Sequence, residues 1–197
     1  MATLLWENSL EKYLTKELQA VSLSMFRKNF IGIFHGSLSA KTAEGKFIIN
    51  KRESIFDKLN KSDLIELYSK KDYRWNLASI DADIHLGIYQ NISEAKYIAY
   101  TMPPFTTAYT LKHEKIIPKD YFAYTKIGEI LVYDPGDFDD WYERAEVEVY
   151  RYFQTHNTNL MVIKGYGVIS FDRDLIQMVK KIAILENSCK LLNLSIS

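Results

Sequence analysis

The chain has 197 residues, 47% of them hydrophobic and 25% charged, with 25 basic and 25 acidic side chains that cancel. That length supports one sizeable core, read as a single domain over residues 1–197, and the neutral balance gives no electrostatic reason to expect nucleic acid or an anionic membrane surface as a partner. One cysteine, Cys189, excludes an intramolecular disulfide and a zinc site built on thiolates. No run approaches the roughly 20 apolar residues of a membrane span, and the first residues lack the basic and apolar segments of a signal peptide. The expected address is cytoplasmic.

In chain order, Asn8 with Glu11 reads as a capping box, and Leu10, Leu14, Leu18, Val21 and Met25 recur at helical spacing, so a helix is predicted over 9–27. Phe30–Lys41 is apolar and rich in small residues. With the Glu44-Gly45 turn and Lys46–Asn50 it predicts two strands joined tightly. A loop with a helical turn over 51–59 and a strand at Leu64–Tyr68 follow. From Asp81 the period is helical, with Ile84 and Ile88 on one face and His85 and Tyr89 beside it.

Tyr97–Thr101 reads as a strand that stops at Pro103-Pro104, where a helix restarts at little cost because proline at a first helical position forfeits no backbone bond. Ile116–Pro118 and Tyr121–Lys126 read as loop or edge strand, and Ile127–Tyr133 as a strand ended by Asp134-Pro135-Gly136. Asp137 or Asp139 is the expected cap of a helix through Phe153. Strands at 159–164 and 168–171, broken by Gly165-Tyr166-Gly167, precede a final helix capped by Asp172, whose apolar stripe includes Leu175, Ile182 and Cys189. Helices interleaved with strands predict an α/β fold: a three-layer α/β/α sandwich around a mostly antiparallel or mixed sheet.

Several segments, taken together and in order, resemble the class II aldolase and adducin head domain family. Phe34-His35-Gly36-Ser37-Leu38-Ser39-Ala40-Lys41 is similar to its "GNxSxR" segment and Phe47-Ile48-Ile49 to its "FLITPSG" strand. Ser79–Tyr89 resembles "SSExxxHxxIY", Tyr100–Phe105 resembles "HTHPPY", and Lys164–Val168 stands where the family has "NHGV". The resemblance spans about residues 10–195. It implies a homo-oligomer, commonly a tetramer with sites between subunits, and in the enzymatic members a divalent metal, usually zinc, on three histidines, with a Glu as acid/base on small sugar phosphates.

Carried onto this chain, the three metal positions are Tyr100, Met102 and Tyr166, and the acid/base position is Asp81. A thioether and two phenols are a poor donor set for zinc, so no metal or other cofactor is expected. Ser37 and Ser39 remain as phosphate-clamp donors. Lys51 and Arg52 replace the second clamp loop, either meeting an anion by charge or standing as solvated loop charges. No two of the four histidines have metal-ligand spacing; His35 and His85 read as satisfied core or supporting groups.

Two functions follow from the resemblance. One is a degenerate, metal-free family domain used for assembly or for binding a ligand or partner. The other is an active aldolase-, epimerase- or dehydratase-like enzyme on a small phosphorylated sugar, with Asp81 as acid/base, Tyr100 or Tyr166 as proton donors, and a divalent metal only in that case.

Overall fold

The computed structural model describes residues 2–33 and 35–195, with side chains from Leu10 onward. Eight strands form one sheet: β1 (Ser37–Ala43), β2 (Lys46–Asn50), β3 (Leu64–Tyr68), β4 (Tyr97–Thr101), β5 (Lys115–Ile116), β6 (Ile130–Tyr133), β7 (Leu160–Ile163) and β8 (Gly167–Asp172). Their order across the sheet is β3-β2-β1-β4-β8-β7-β6-β5. Among the described residues only β6 and β7 pair in parallel; the remaining strand pairs are antiparallel. The helices are α1 (Ala2–Arg27), α2 (Ala82–Asn91), α3 (Pro104–Thr110), α4 (Tyr121–Lys126), α5 (Trp141–His156) and α6 (Leu175–Ser195). The expected mixed-sheet α/β architecture is present.

Strand alternation sorts the apolar side chains into two cores. Leu38, Ala40, Ile48, Tyr97, Ala99, Val162 and Val168 face one side, where Leu14, Leu18 and Met25 of α1 and Met178, Ile182 and Cys189 of α6 cover them. Phe47, Ile49, Ile98, Tyr100, Met161, Ile169 and Phe171 face the other, under Ile84 and Ile88 of α2 and Trp141, Ala145 and Val149 of α5. Strand β4 is buried at all five positions because it lies centrally with a helical layer on each face. Among the described residues no helix is long and apolar enough to cross a membrane.

Several local expectations are corrected. Helix α1 begins at Ala2, seven residues before the expected start, so Asn8 lies within the helix and not at its start. The predicted first strand begins only at Ser37; residues 28–33 and 35–36 are turn and loop, in which Asn29 takes a left-handed φ of 60°, and Phe34 lies outside the described residues. Tyr121–Lys126 is a helix, started by Asp120, whose Oδ1 accepts from the Ala123 amide at 3.0 Å. Strand β6 starts at Ile130, after Gly128 turns with φ 76°. Asp140 occupies the cap position of α5 instead of Asp137 or Asp139. Asp174, not Asp172, caps α6: its Oδ1 accepts from the amides of Ile176 (2.8 Å) and Gln177 (3.0 Å).

The Pro pair ends β4 and starts α3 as expected, and a distant residue completes that start. Glu186 of α6, buried in the core, accepts from the amides of Phe105 (2.9 Å) and Thr106 (2.8 Å) and from Thr106 Oγ1 (2.8 Å). These amides belong to the first turn of α3 and have no partner within the helix, and a carboxylate there also suits the helix dipole. This clamp fixes the chain just after Met102.

Candidate functional site

A cavity of about 390 Å³ opens where β4 ends, over the α2 and α5 face of the sheet. The pairing that builds its floor is set by register: Tyr100 lies opposite Ser37 of β1 and opposite Ile169 of β8. The turn Gly165-Tyr166-Gly167 supplies the adjoining wall. Its tightness requires glycine, because Gly167 has φ 137° and a Cβ there would collide with the Thr101 carbonyl. That close approach brings Tyr166 alongside Tyr100.

The two rings stack with centroids 4.5 Å apart, and Tyr100 Oη donates to the Tyr166 carbonyl at 2.8 Å. The Phe138 ring lies near-parallel to that of Tyr166 with centroids 6.4 Å apart, and Trp141 meets Tyr166 edge-on at 5.4 Å. Tyr166 is thereby aimed by aromatic contacts on several sides. Its Oη donates to Asp81 Oδ1 at 3.2 Å and lies 3.2 Å from Tyr142 Oη. Ser79 Oγ donates to Asp81 Oδ2 at 3.3 Å.

Asp81 precedes α2 and is only 3% exposed. Burial raises its pKa because the charged form loses hydration; hydrogen bonds from Ser37, Tyr166, Ser79 and Tyr142 act the opposite way, and burial prevails. Burial, followed by the nearness of Asp81, holds the phenols of Tyr100 and Tyr166 well above the ordinary tyrosine value, and pushes that of Tyr142 up to about 12. All three therefore act as neutral hydroxyls.

Of the residues named from the sequence, Asp81, Tyr100, Met102, Tyr166 and Arg52 line the cavity. Ser37 sits beneath it, with Oγ 2.9 Å from His85 Nε2. Ser39 is fully buried and bound to His85 Nδ1 (2.6 Å) and Tyr89 Oη (2.7 Å), one layer away from the cavity. Lys51 forms an isolated bridge with Ala78 and is not part of the lining. The supporting role read for His85 agrees with this burial, whereas His35 is exposed and lines the cavity mouth instead of the core.

Tyr142, Phe138 and Asn50 complete the site without having been singled out. Asn50 Oδ1 accepts from the Leu38 amide at 2.8 Å and so holds β1 beside the cavity. Tyr142 comes from the first turn of α5 and Phe138 from the acidic turn before it; their only sequence signal is aromatic residues among aspartates. Arg144 anchors that turn by donating to the Pro135 and Asp137 carbonyls at 2.7 and 3.0 Å.

Among the described residues no three His, Cys, Asp or Glu side chains converge as a set that could hold a metal ion. The donors at the cavity are one carboxylate, the single imidazole of His35 at its mouth, neutral phenols and a thioether, short of three ligands that zinc selects. Zinc selects imidazole, thiolate and carboxylate, and phenols held in the neutral form bind it poorly, so this set does not fit zinc.

Residues 16–192 match the family model described as "Class II Aldolase and Adducin N-terminal domain". An L-fuculose phosphate aldolase of Methanocaldococcus jannaschii is 20% identical over 179 residues, covering 89% of this chain and 93% of the relative. The fold matches the crystal structure of L-fuculose-1-phosphate aldolase from Thermus thermophilus with TM-score 0.81 at 19% identity, over 92% of this chain and 93% of the other. It matches the sugar-phosphate aldolase from Thermotoga maritima with TM-score 0.68 at 13% identity, over 94% and 97%.

Proposed function

This chain belongs to the class II aldolase and adducin N-terminal domain family, and from that premise we propose that it is a metal-free member whose cavity at Asp81 binds a small ligand or partner group without metal-assisted aldol chemistry. The observation that carries this reading is the Tyr166–Asp81 hydrogen bond. At the three positions where the enzymatic members are expected to hold metal, this chain has Tyr100, Met102 and Tyr166, and the Tyr166 hydroxyl is committed to the carboxylate that would act on substrate. A hydroxyl–carboxylate pair is satisfied without a cation. Arg52 gives the lining a positive charge suited to an anionic group of the ligand, as a small phosphorylated sugar would carry. Assembly into a homo-oligomer, with a tetramer as the family expectation, is part of this proposal.

The test is zinc content by elemental analysis together with mass in solution. Substoichiometric zinc in an oligomer agrees with the reading; one tightly held zinc per chain overturns it.

A second reading, an aldolase-, epimerase- or dehydratase-like enzyme without the metal, draws on the buried position of Asp81. A carboxyl whose pKa is raised by burial, set among phenol donors, has the means for general acid/base work. Turnover of a phosphorylated sugar that disappears in Asp81→Asn would establish it.

A further inference from the structure

The side chains lining the site cavity divide by what they still have to give. Each hydroxyl hydrogen of the lining goes to a protein acceptor. Tyr100 donates to the Tyr166 carbonyl, Tyr166 to Asp81 Oδ1 and Ser79 to Asp81 Oδ2; with the Tyr166 hydrogen so placed, Tyr142 donates to Tyr166 Oη. Ser54 Oγ donates to the Asp63 carbonyl at 2.9 Å. Asn50 accepts from the Leu38 amide and gives one Nδ2 hydrogen to the Lys51 carbonyl at 3.2 Å. Apart from its second Nδ2 hydrogen, the uncommitted donors are on Arg52 and His35, both exposed, whose side chains have no hydrogen-bond or ion-pair partner among the described residues.

The rest of the lining is apolar and open. Ile33, Ile80 and Phe138 are 56%, 51% and 49% exposed, and they come from three separate segments: the loop before β1, the turn before α2 and the turn before α5. Single exposed apolar side chains are ordinary, but three that meet around one cavity mark a place where apolar surface is to be covered. A polyhydroxylated ligand needs a partner for each hydroxyl it takes out of water. Lone pairs remain on Asp81 and the phenols, but their hydroxyls have no hydrogen left to donate, so the oxygens of such a ligand would go short. An apolar body loses nothing there. Phe138 and the 45% exposed ring of Tyr142 favour an aromatic body, since ring pairs gain from stacking beyond the area they bury. A negative charge has one place to go, the fork of donors on Arg52 with His35 beside the same cavity.

We infer that the ligand of this cavity is an organic anion with an aromatic body, of the class of an aryl phosphate, held at its charged end by Arg52 and His35 and along its body by Ile33, Ile80 and Phe138. A phosphorylated polyol carrying the same charge is the poorer ligand. The inference rests on the metal-free binding reading proposed above and names the class of ligand within it.

Isothermal titration calorimetry of the full chain, freed of metal with EDTA, compares phenyl phosphate with glycerol phosphate, which carries the same head on a hydroxylated body. The expected result is that phenyl phosphate binds about tenfold more tightly, the gain from removing roughly 60 Å² of apolar surface from water. Arg52→Gln should weaken both compounds, whereas Phe138→Ser should weaken phenyl phosphate alone and bring the two together. Glycerol phosphate bound as tightly as phenyl phosphate, or no binding of phenyl phosphate, overturns the inference and leaves the metal-free reading standing. A requirement for added zinc before either compound binds overturns that reading itself, whichever compound is preferred. A Phe138→Ser protein that loses oligomeric mass and keeps the preference assigns that side chain to an interface, and this too overturns the inference. The two compounds on the unsubstituted protein decide the matter even if a variant fails to fold.

Discussion

Tyr166 and Asp81 are 85 residues apart in the chain and 3.2 Å apart at their oxygens. One comes from the turn between β7 and β8 and the other from the start of α2, so the bond ties the end of the sheet to the helical layer over it. Replacing Tyr166 by Phe keeps the ring stacked on Tyr100 and removes one donor from a buried carboxyl and the contact with Tyr142. The expected loss is about 1–2 kcal/mol of unfolding free energy, read from the denaturant midpoint at unchanged slope. An unaltered midpoint would show that the bond contributes nothing net.

Acid should weaken the fold through His85. Burial pushes its pKa from the ordinary 6.5 down to about 3, so between these values the unfolded chain binds a proton that the folded one does not. Stability therefore rises with pH across that window and is lost as pH falls through it, by up to about 1.4 kcal/mol per pH unit for one such group. Asp81 acts with the opposite sign: its pKa is raised above 3.8, so its contribution is present at lower pH and fades as pH rises through the folded value. In unfolding free energies measured between about pH 4 and 6, the slope against pH should be less positive in His85→Gln than in the parent protein.

Gly87 lies within α2, where alanine would ordinarily favour the helix by about 1 kcal/mol. Here a Cβ would stand 2.6 Å from the Glu146 carbonyl of α5, where the two helices cross. Backbone cannot swing aside as a side chain can. Gly87→Ala is expected to destabilise by about 1–3 kcal/mol, the overpacking range, and a rise in melting temperature would contradict that close approach.

Glu186→Ala removes the acceptor for two buried amides and a hydroxyl at the start of α3. The expected cost is about 2–4 kcal/mol by chemical denaturation, because the donors are left unpaired as well as losing a charged acceptor. Glu186→Gln keeps one acceptor oxygen and should lie between the two. Exchange of the Phe105 and Thr106 amides should quicken in the alanine variant; unchanged protection would mean that the clamp is not what closes this turn.

The strands of this fold were legible where apolar residues fill the whole element, as in Tyr97–Thr101, or where glycine and proline punctuate, as at Glu44-Gly45 and Pro103-Pro104. Tyr121–Lys126 was not, because a six-residue helix carries too few residues to display a period, and its only start signal is Asp120. The cap of α6 was misplaced by two residues because Asp172 and Asp174 both suit the role, and only backbone direction separates them. In the site, Asp81, Tyr100, Met102 and Tyr166 were marked by motif position. Ser39 shows the limit of that reading, since its hydroxyl is engaged by His85 and Tyr89 before it could meet a ligand.

By itself the sequence determined the alternation of helix and strand and the family outline, and the resemblance set the expectation that Tyr100, Met102 and Tyr166 stand at the family's histidine positions, because residue identity and local periodicity are properties of the chain alone. Only the tertiary structure decided how those residues are placed. Strand register sets Ser37 beside Tyr100, the Gly167 turn brings Tyr166 against Asp81, the acidic turn adds Phe138 and the start of α5 adds Tyr142. Each of those contacts joins distant segments, and no local pattern encodes a hydrogen bond across 85 residues.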